Sequence, residues 1–252
     1  MKTKEEKGVK IMYDASAEFY HSERLNKKSE CQFYNVLTEM PAMLKMMGNV
    51  KNKKVLDWGC GSGIYIKILS KNGAKIKGFD ISKEMIKIAK KDNPDIDLRV
   101  GSGLNIPFSE KFDIVFASLA LHYLNNWDKS LKEISKVLRK NGYFIFSIIN
   151  PIKRMTSGHE IKGKEYRVLG IKDYFKEGLT KYDWFLPDGQ KVVIPQYHKT
   201  YSTIVKTIVR NSFEIVDYED LKPVSQAKKM FPEKYEIFSK IPNFCILKLK
   251  KK

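Results

Sequence analysis

Between residues 54 and 149 short apolar runs alternate with stretches whose apolar residues recur every three or four positions. That alternation predicts a parallel sheet wrapped by helices. Strands are expected at 54–58, 75–80, 97–100, 112–118 and 143–149, the last almost wholly apolar, as suits a strand buried on both faces. Helices are expected at 64–70, along the face Met85, Ile86 and Ala89, and along the stripe Leu131, Ile134, Val137 and Leu138, which Asn141-Gly142 would stop. The rhythm breaks after Asn150-Pro151. From there to about Pro195 the chain carries scattered Gly and Pro and the aromatic residues Tyr166, Tyr174, Phe175, Tyr182, Trp184 and Phe185. Within it, 182–186 and 190–194 flank Pro187-Asp188-Gly189 and read as a hairpin. A helix over 202–211, with Ile204, Val205, Ile208 and Val209 on one face, and strands at 213–216 and 244–249 complete the pattern. Residues 10–48 should be helical, with Pro41 at a joint between two helices, since proline is tolerated in a first turn. The expected organisation is a helical N-terminal cap (1–50), a core (51–150), an inserted lid (151–197) and a C-terminal return to the core sheet (198–252).

The chain has 252 residues, 42% of them hydrophobic, enough for a real core and too many for a disordered polyelectrolyte. No apolar run approaches the roughly 18 residues that a bilayer span needs. The opening MKTKEEKGVK lacks the apolar stretch of a secretory signal. Cys31, Cys60 and Cys245 are odd in number and lack metal-ligand spacing, which points to a reducing, cytoplasmic setting without a disulfide framework or zinc site. The net charge of +18 rests on 41 Lys and only 6 Arg, dispersed along the chain. A solvated lysine surface is the plainer reading of that charge, and a polyanion-binding face is the other.

Candidate chemistry concentrates in Val55-Leu56-Asp57-Trp58-Gly59-Cys60-Gly61-Ser62-Gly63, where an expected strand enters a glycine turn and then a helix. Such a turn bends sharply, lets a ligand touch backbone and presents N–H groups at a helix start. A dinucleotide fingerprint would require its third glycine at the position held by Ile64. At the end of the second strand, Asp80 can accept hydrogen bonds from ribose hydroxyls and Ile81 can lie against a purine. The alternative is that Asp80 or Ser82 simply caps the next helix.

With Phe112-Asp113-Ile114-Val115, these segments resemble the motifs of class I S-adenosylmethionine-dependent methyltransferases. Glu39-Met40-Pro41-Ala42-Met43-Leu44, the insertion hairpin and Tyr197-His198-Lys199-Thr200-Tyr201-Ser202 resemble a branch similar to the ubiquinone-biosynthesis methyltransferases. The resemblance implies a doubly wound α/β, Rossmann-like sheet of seven strands, the last antiparallel, with S-adenosylmethionine as cofactor. It implies that Gly59, Cys60, Gly61 and Gly63 cradle the methionine half, that Asp57 fixes the loop and the amino group, and that Asp80 and Ile81 take the ribose and adenine. Where the superfamily usually offers a carboxylate near the adenine amine, this chain has Gly101-Ser102-Gly103, leaving Ser102 as a weaker acceptor. Ser118 to Tyr123 would lie beside the transferring methyl. His122 could take a proton there, or could merely pack under the next loop. Tyr13, Tyr20 and His21 lie where relatives close over the cofactor, and Tyr13 is a second candidate for catalysis. Trp184, Tyr197 and His198 lie in the insertion, where such aromatics could wall an acceptor or, as for Trp184 and Phe185, form a satellite core. The expected reaction is methyl transfer to an O, N or C atom of a small molecule. An RNA or protein acceptor, or binding without catalysis, are the rival readings.

Overall fold

The computed structural model describes residues 3–162, 165–171, 173–185 and 191–252. Helix α1 (Lys4–Leu25) opens with a capping box, Thr3 accepting from the Glu6 N–H while the Glu6 carboxylate accepts from the Thr3 N–H. A turn follows, and then a π-helical stretch, Gln32–Glu39, that passes into α2 (Met40–Met47) without leaving helical conformation. Pro41 sits in the first turn of α2, at the junction as expected. The stretch before that joint, expected as one helix, is instead broken after Leu25, where the Ser29 hydroxyl accepts from the Gln32 N–H.

The core alternates strand and helix: β1 (Lys54–Trp58), α3 (Ile64–Lys71), β2 (Lys75–Asp80), α4 (Lys83–Asp92), β3 (Leu98–Val100), β4 (Phe112–Ala117), α5 (Trp127–Val137) and β5 (Leu138–Ile149). The insertion holds α6 (Pro151–Met155) and two antiparallel pairs, β6 (Thr156–Lys162) with β7 (Glu165–Ile171) and β8 (Gly178–Phe185) with β9 (Lys191–His198). Then come α7 (Tyr201–Arg210), β10 (Phe213–Asp220), α8 (Ala227–Met230), α9 (Pro232–Phe238) and β11 (Phe244–Lys251).

One seven-stranded sheet runs β10-β11-β5-β4-β1-β2-β3. Strands β1 to β5 pair in parallel, and β11 pairs antiparallel with both β5 and β10, as the resemblance implied. Successive strand residues face opposite sides. Leu56, Phe144 and Phe146 join one buried cluster on the side of α5 and α7. Val55, Ile145 and Ile246 join another on the side of α2, α3 and α4. Strand order reverses between β1 and β4, and the crevice at their C-terminal ends is where such sheets bind ligands.

Three expectations need correction. Helix α5 ends at Val137, not at Asn141-Gly142, because Leu138 already pairs with Phe112. Asn141, with φ 60°, lies in an irregularity of β5 between the Phe112 and Ile114 pairings. On α7 the buried face is Ile204, Thr207 and Ile208, while Val205 and Val209 are 43% and 62% exposed, because the helix leans on the sheet along a narrower stripe than its apolar residues cover. The hairpin at 178–198 is longer than expected; its turn, Pro187-Asp188-Gly189, lies outside the described residues, as do the side chains of Tyr166, Tyr182, Trp184 and Phe185. The β6–β7 pair and helices α8 and α9 had no counterpart in the sequence reading.

Candidate functional site

A cavity of about 340 Å³ lies at the C-terminal ends of β1, β2 and β4, roofed by α1. The roof is a helical stripe, Glu6, Val9, Tyr13, Tyr20 and Arg24, spaced by three, four, seven and four residues, which returns each to one face. That spacing was visible in the sequence as a mixed polar and aromatic face, and it marks residues that motif reading missed: Glu6 and Arg24 above all.

The floor is the glycine bend. Gly59, Gly61 and Gly63 have φ of 78°, 51° and 81°, a region that residues with a Cβ enter only with strain. They differ in what surrounds them. A Cβ on Gly59 would stand 2.8 Å from Ala120 Cβ and one on Gly63 2.8 Å from Asn93 Nδ2, so these two also allow close packing of the bend on its neighbours. A Cβ on Gly61 would meet nothing within 4 Å, because that position faces the open cavity. The Gly59 and Cys60 N–H groups both donate to Phe79 O, at 2.9 and 3.0 Å, which ties the bend to β2. The Cys60 thiol is buried and its pKa is pushed well up by desolvation, so it is an inert wall.

Asp57, at the end of β1, is 1% exposed and its Oδ2 has no hydrogen-bond partner among the described residues. Burial pushes its carboxyl pKa well above the ordinary range, the charges of Asp80 and Glu39 add to the rise, and Arg24 opposes it. Arg24 is 9% exposed, with Nη1 donating to Tyr20 OH (3.2 Å) and Asn35 Oδ1 (3.3 Å), while its Nε has no acceptor among the described residues. Two buried groups of opposite charge thus line one cavity with hydrogen-bonding capacity unmet. Asp80, at the end of β2, accepts from the Gly61 N–H and the Ser82 N–H, both at 2.9 Å. Its pKa is raised by burial, against the pull of those backbone donors. It therefore braces the bend, while Ser82 caps α4 by accepting from the Met85 N–H. Ile81 lines the cavity beside it.

Beyond β3, Gly101 and Gly103 line the cavity but the Ser102 hydroxyl is turned to Glu6, to which it donates. A Cβ on Gly103 would lie 1.9 Å from the Trp58 ring, so glycine is required there by packing on Trp58. Beyond β4, Ser118, Leu119, His122 and Tyr123 form the facing wall. Leu119 has φ 50°, a strained value for a leucine, held by its N–H donating to Ser147 Oγ at 2.9 Å. Ser147 in turn donates to Glu39 Oε1, and Tyr65 OH to Glu39 Oε2, both at 2.6 Å. Glu39, fully buried, thus fastens the cap to β5, α3 and the loop after β4. Desolvation raises its pKa, while hydrogen bonds from Ser147 and Tyr65, the charge of Arg24 and Ser118 lower it.

Tyr13 OH lies 2.7 Å from Tyr123 OH, and burial holds the Tyr13 phenol well above its ordinary pKa, so it is protonated at neutral pH. His122 is 4% exposed against the Tyr123 ring and lines the cavity. Of the other aromatic candidates, Tyr20 lines the cavity, while His21 faces Asp92 of α4 at 3.7 Å. His198 is buried with Nε2 2.8 Å from Tyr174 O, and neither it nor Tyr197 lines this cavity; Ile194 and Gln196 of the same strand do. The described residues contain no cluster of His, Cys, Asp and Glu suited to a metal and no helix long and apolar enough to cross a membrane.

Comparison with known proteins adds a family. The profile of the family described as a methyltransferase domain matches residues 56–146. An uncharacterized protein of Methanocaldococcus jannaschii is 30% identical over 216 residues, covering 84% of this chain and 79% of its own. The ubiquinone biosynthesis O-methyltransferase of Pelagibacter ubique is 35% identical over 105 residues, 40% of this chain and 44% of its own. Among solved structures, an S-adenosylmethionine-dependent methyltransferase from Mesorhizobium loti superposes with a TM-score of 0.73 at 25% identity, covering 84% of this chain and 97% of that one.

Proposed function

Because the chain belongs to the class I S-adenosylmethionine-dependent methyltransferases, we propose that it methylates an O, N or C atom of a small-molecule acceptor held beneath α1. The observation that carries the site assignment is the pair of unmet buried charges. Asp57 Oδ2 and Arg24 Nε both lack partners in the cavity wall, and buried charges without partners are costly. An α-amino acid carries an ammonium for the first and a carboxylate for the second, and the methionine half of the cofactor is an α-amino acid.

In this reading Gly59, Cys60, Gly61 and Gly63 form the bend on which that half rests, with Gly61 open to it. Asp80 has lone pairs left for ribose hydroxyls after accepting from Gly61 and Ser82. Ile81, Gly103 and Ser118 complete the wall. When bound, the cofactor supplies a methyl group already activated by a cationic sulfur, so the protein's task is to hold an acceptor lone pair in line and exclude water. Tyr13, its phenol pKa raised by burial and its hydroxyl paired with that of Tyr123, is better suited to positioning an acceptor than to taking its proton. His122 is the group proposed to take a proton from an acceptor hydroxyl or amine. The aromatic and apolar walls, Tyr20, Tyr34, Ile149 and Phe244, favour a planar or apolar acceptor, in keeping with the quinone pathway named for the Pelagibacter ubique relative.

The test is titration calorimetry with S-adenosylmethionine and its demethylated product, followed by a methyl-release assay against a metabolite extract and an RNA fraction in parallel. Saturable binding with turnover on the metabolite fraction is expected. Turnover on RNA alone would overturn the small-molecule reading, and binding without any turnover would overturn the catalytic one.

A further inference from the structure

Resting on that cofactor reading, we propose that Glu6 of the N-terminal helix selects adenine by accepting a hydrogen bond from its exocyclic amine. Strand order sets the direction in which the ligand runs. Strands β1, β2 and β3 are consecutive neighbours, so their C-terminal ends step across the crevice at roughly 4.8 Å per strand. The first end carries Asp57, the second Asp80 and the third Gly101-Ser102-Gly103. A ligand with its amino acid at Asp57 and its ribose at Asp80 carries its base onward toward β3.

Helix α1 lies across these ends and fixes the same direction. Asp14 accepts from Ser82 Oγ at 2.7 Å, pinning the middle of the helix over the exit of β2. Arg24 lies ten residues further on, beside Asn35 of the cap, and Glu6 lies eight residues back, beside Ser102. Eighteen residues of helix separate Glu6 from Arg24, about 27 Å along the axis. The two charged side chains therefore mark opposite ends of one cavity, with Glu6 at the end beyond β3.

The chemistry at that end is specific. Glu6 is 2% exposed and lines the cavity with Gly101 and Gly103. Among the described residues no cation stands within 4.0 Å of it. One oxygen accepts from Thr3 N–H at 3.0 Å and the other from Ser102 Oγ. A carboxylate has about four acceptor sites, so capacity remains on the cavity side. The Ser102 hydroxyl, by contrast, already donates to Glu6 and accepts from Leu104 N–H at 3.0 Å. It orients the carboxylate, and Glu6 offers the stronger, charge-assisted acceptor. A base presenting an amine there gains a hydrogen bond, whereas one presenting a carbonyl oxygen sets lone pair against lone pair.

Calorimetry with S-adenosylhomocysteine and S-inosylhomocysteine, which differ in that amine, tests the assignment. The parent protein should prefer the adenine compound by at least about tenfold, the scale of one hydrogen bond to a charged acceptor. Glu6→Gln keeps the capping-box geometry and adds a donor, so the preference should fall to within about threefold. Glu6→Asp, which shortens the reach, should narrow it likewise and serves if the amide variant fails to fold by circular dichroism. Equal affinity of the parent for both compounds, or full preference retained in a folded variant, overturns the role of Glu6. Failure of the parent to bind either compound overturns the cofactor site itself, a separate outcome.

Discussion

Asp57 illustrates how a single side chain trades stability for binding. A buried acid whose folded-state pKa is raised holds its proton more tightly in the native state, so its contribution to stability is lost as pH rises above the unfolded carboxyl's range. In Asp57→Asn that liability is gone. The variant should therefore gain on the parent in denaturant midpoint as pH rises from about 4 to 8, while losing affinity for S-adenosylhomocysteine by tenfold or more. A midpoint difference that is flat across pH would show that the carboxyl is not strained by burial. Asp80→Ala and Gly61→Arg should each abolish cofactor binding, the first by removing the carboxylate at the exit of β2, with a loss of stability because the Gly61 and Ser82 N–H groups lose their acceptor, and the second by filling the open side of the bend; unchanged affinity in either contradicts the assignment. His122→Ala should lower turnover more than cofactor affinity, and equal rates would retire it as a proton acceptor. These residues differ in how well the chain announced them. Asp57 and the glycines stand in a short contiguous motif whose geometry is local, and Asp80 ends the very next strand. The parts played by Glu39 and Glu6 were not legible in that way, because each gains its meaning from a partner far off in sequence, Ser147 and Ser102.

The loop after β4 and the π-helical cap show two elements sharing one polar joint. Leu119 keeps its left-handed backbone because Ser147 accepts its N–H, and Ser147 keeps its rotamer by donating to Glu39. Removing the middle of that chain leaves a part-buried N–H and a buried carboxyl each short of a partner, a cost of about 1–3 kcal/mol. Ser147→Ala should lose that much stability and should reduce turnover through the relaxed loop, with cofactor affinity changed less. An unfolding midpoint like the parent's would mean the loop is held by packing alone. Strands were easier to foresee than helix ends. Parallel strands buried on both faces have few sequences available to them, whereas the end of α5 depended on whether Leu138 gained more from a fourth helical turn or from pairing with Phe112, which is a question about a neighbour.

Across the whole molecule the surface charge of +18 is the largest electrostatic feature, and its lysine excess predicts little site-specific anion recognition. Methylation of an uncharged small acceptor should vary less than about twofold between 50 and 200 mM salt, whereas an RNA acceptor engaging several phosphates would lose activity by orders of magnitude. Measuring turnover across that range separates the two. The alternation of strands and helices, the glycine bend and the carboxylate on the adjacent strand were legible from apolar periodicity and from glycines with few alternatives, since these are short-range steric and hydrophobic constraints, whereas the antiparallel last strand came from the family resemblance. Which roof residues reach the cavity, that Ser102 faces Glu6, and that Glu39 locks the cap to the loop beyond β4 emerged with the packed fold. Such contacts join positions up to 108 residues apart, and a buried charge finds its partner only once the chain has excluded water from both.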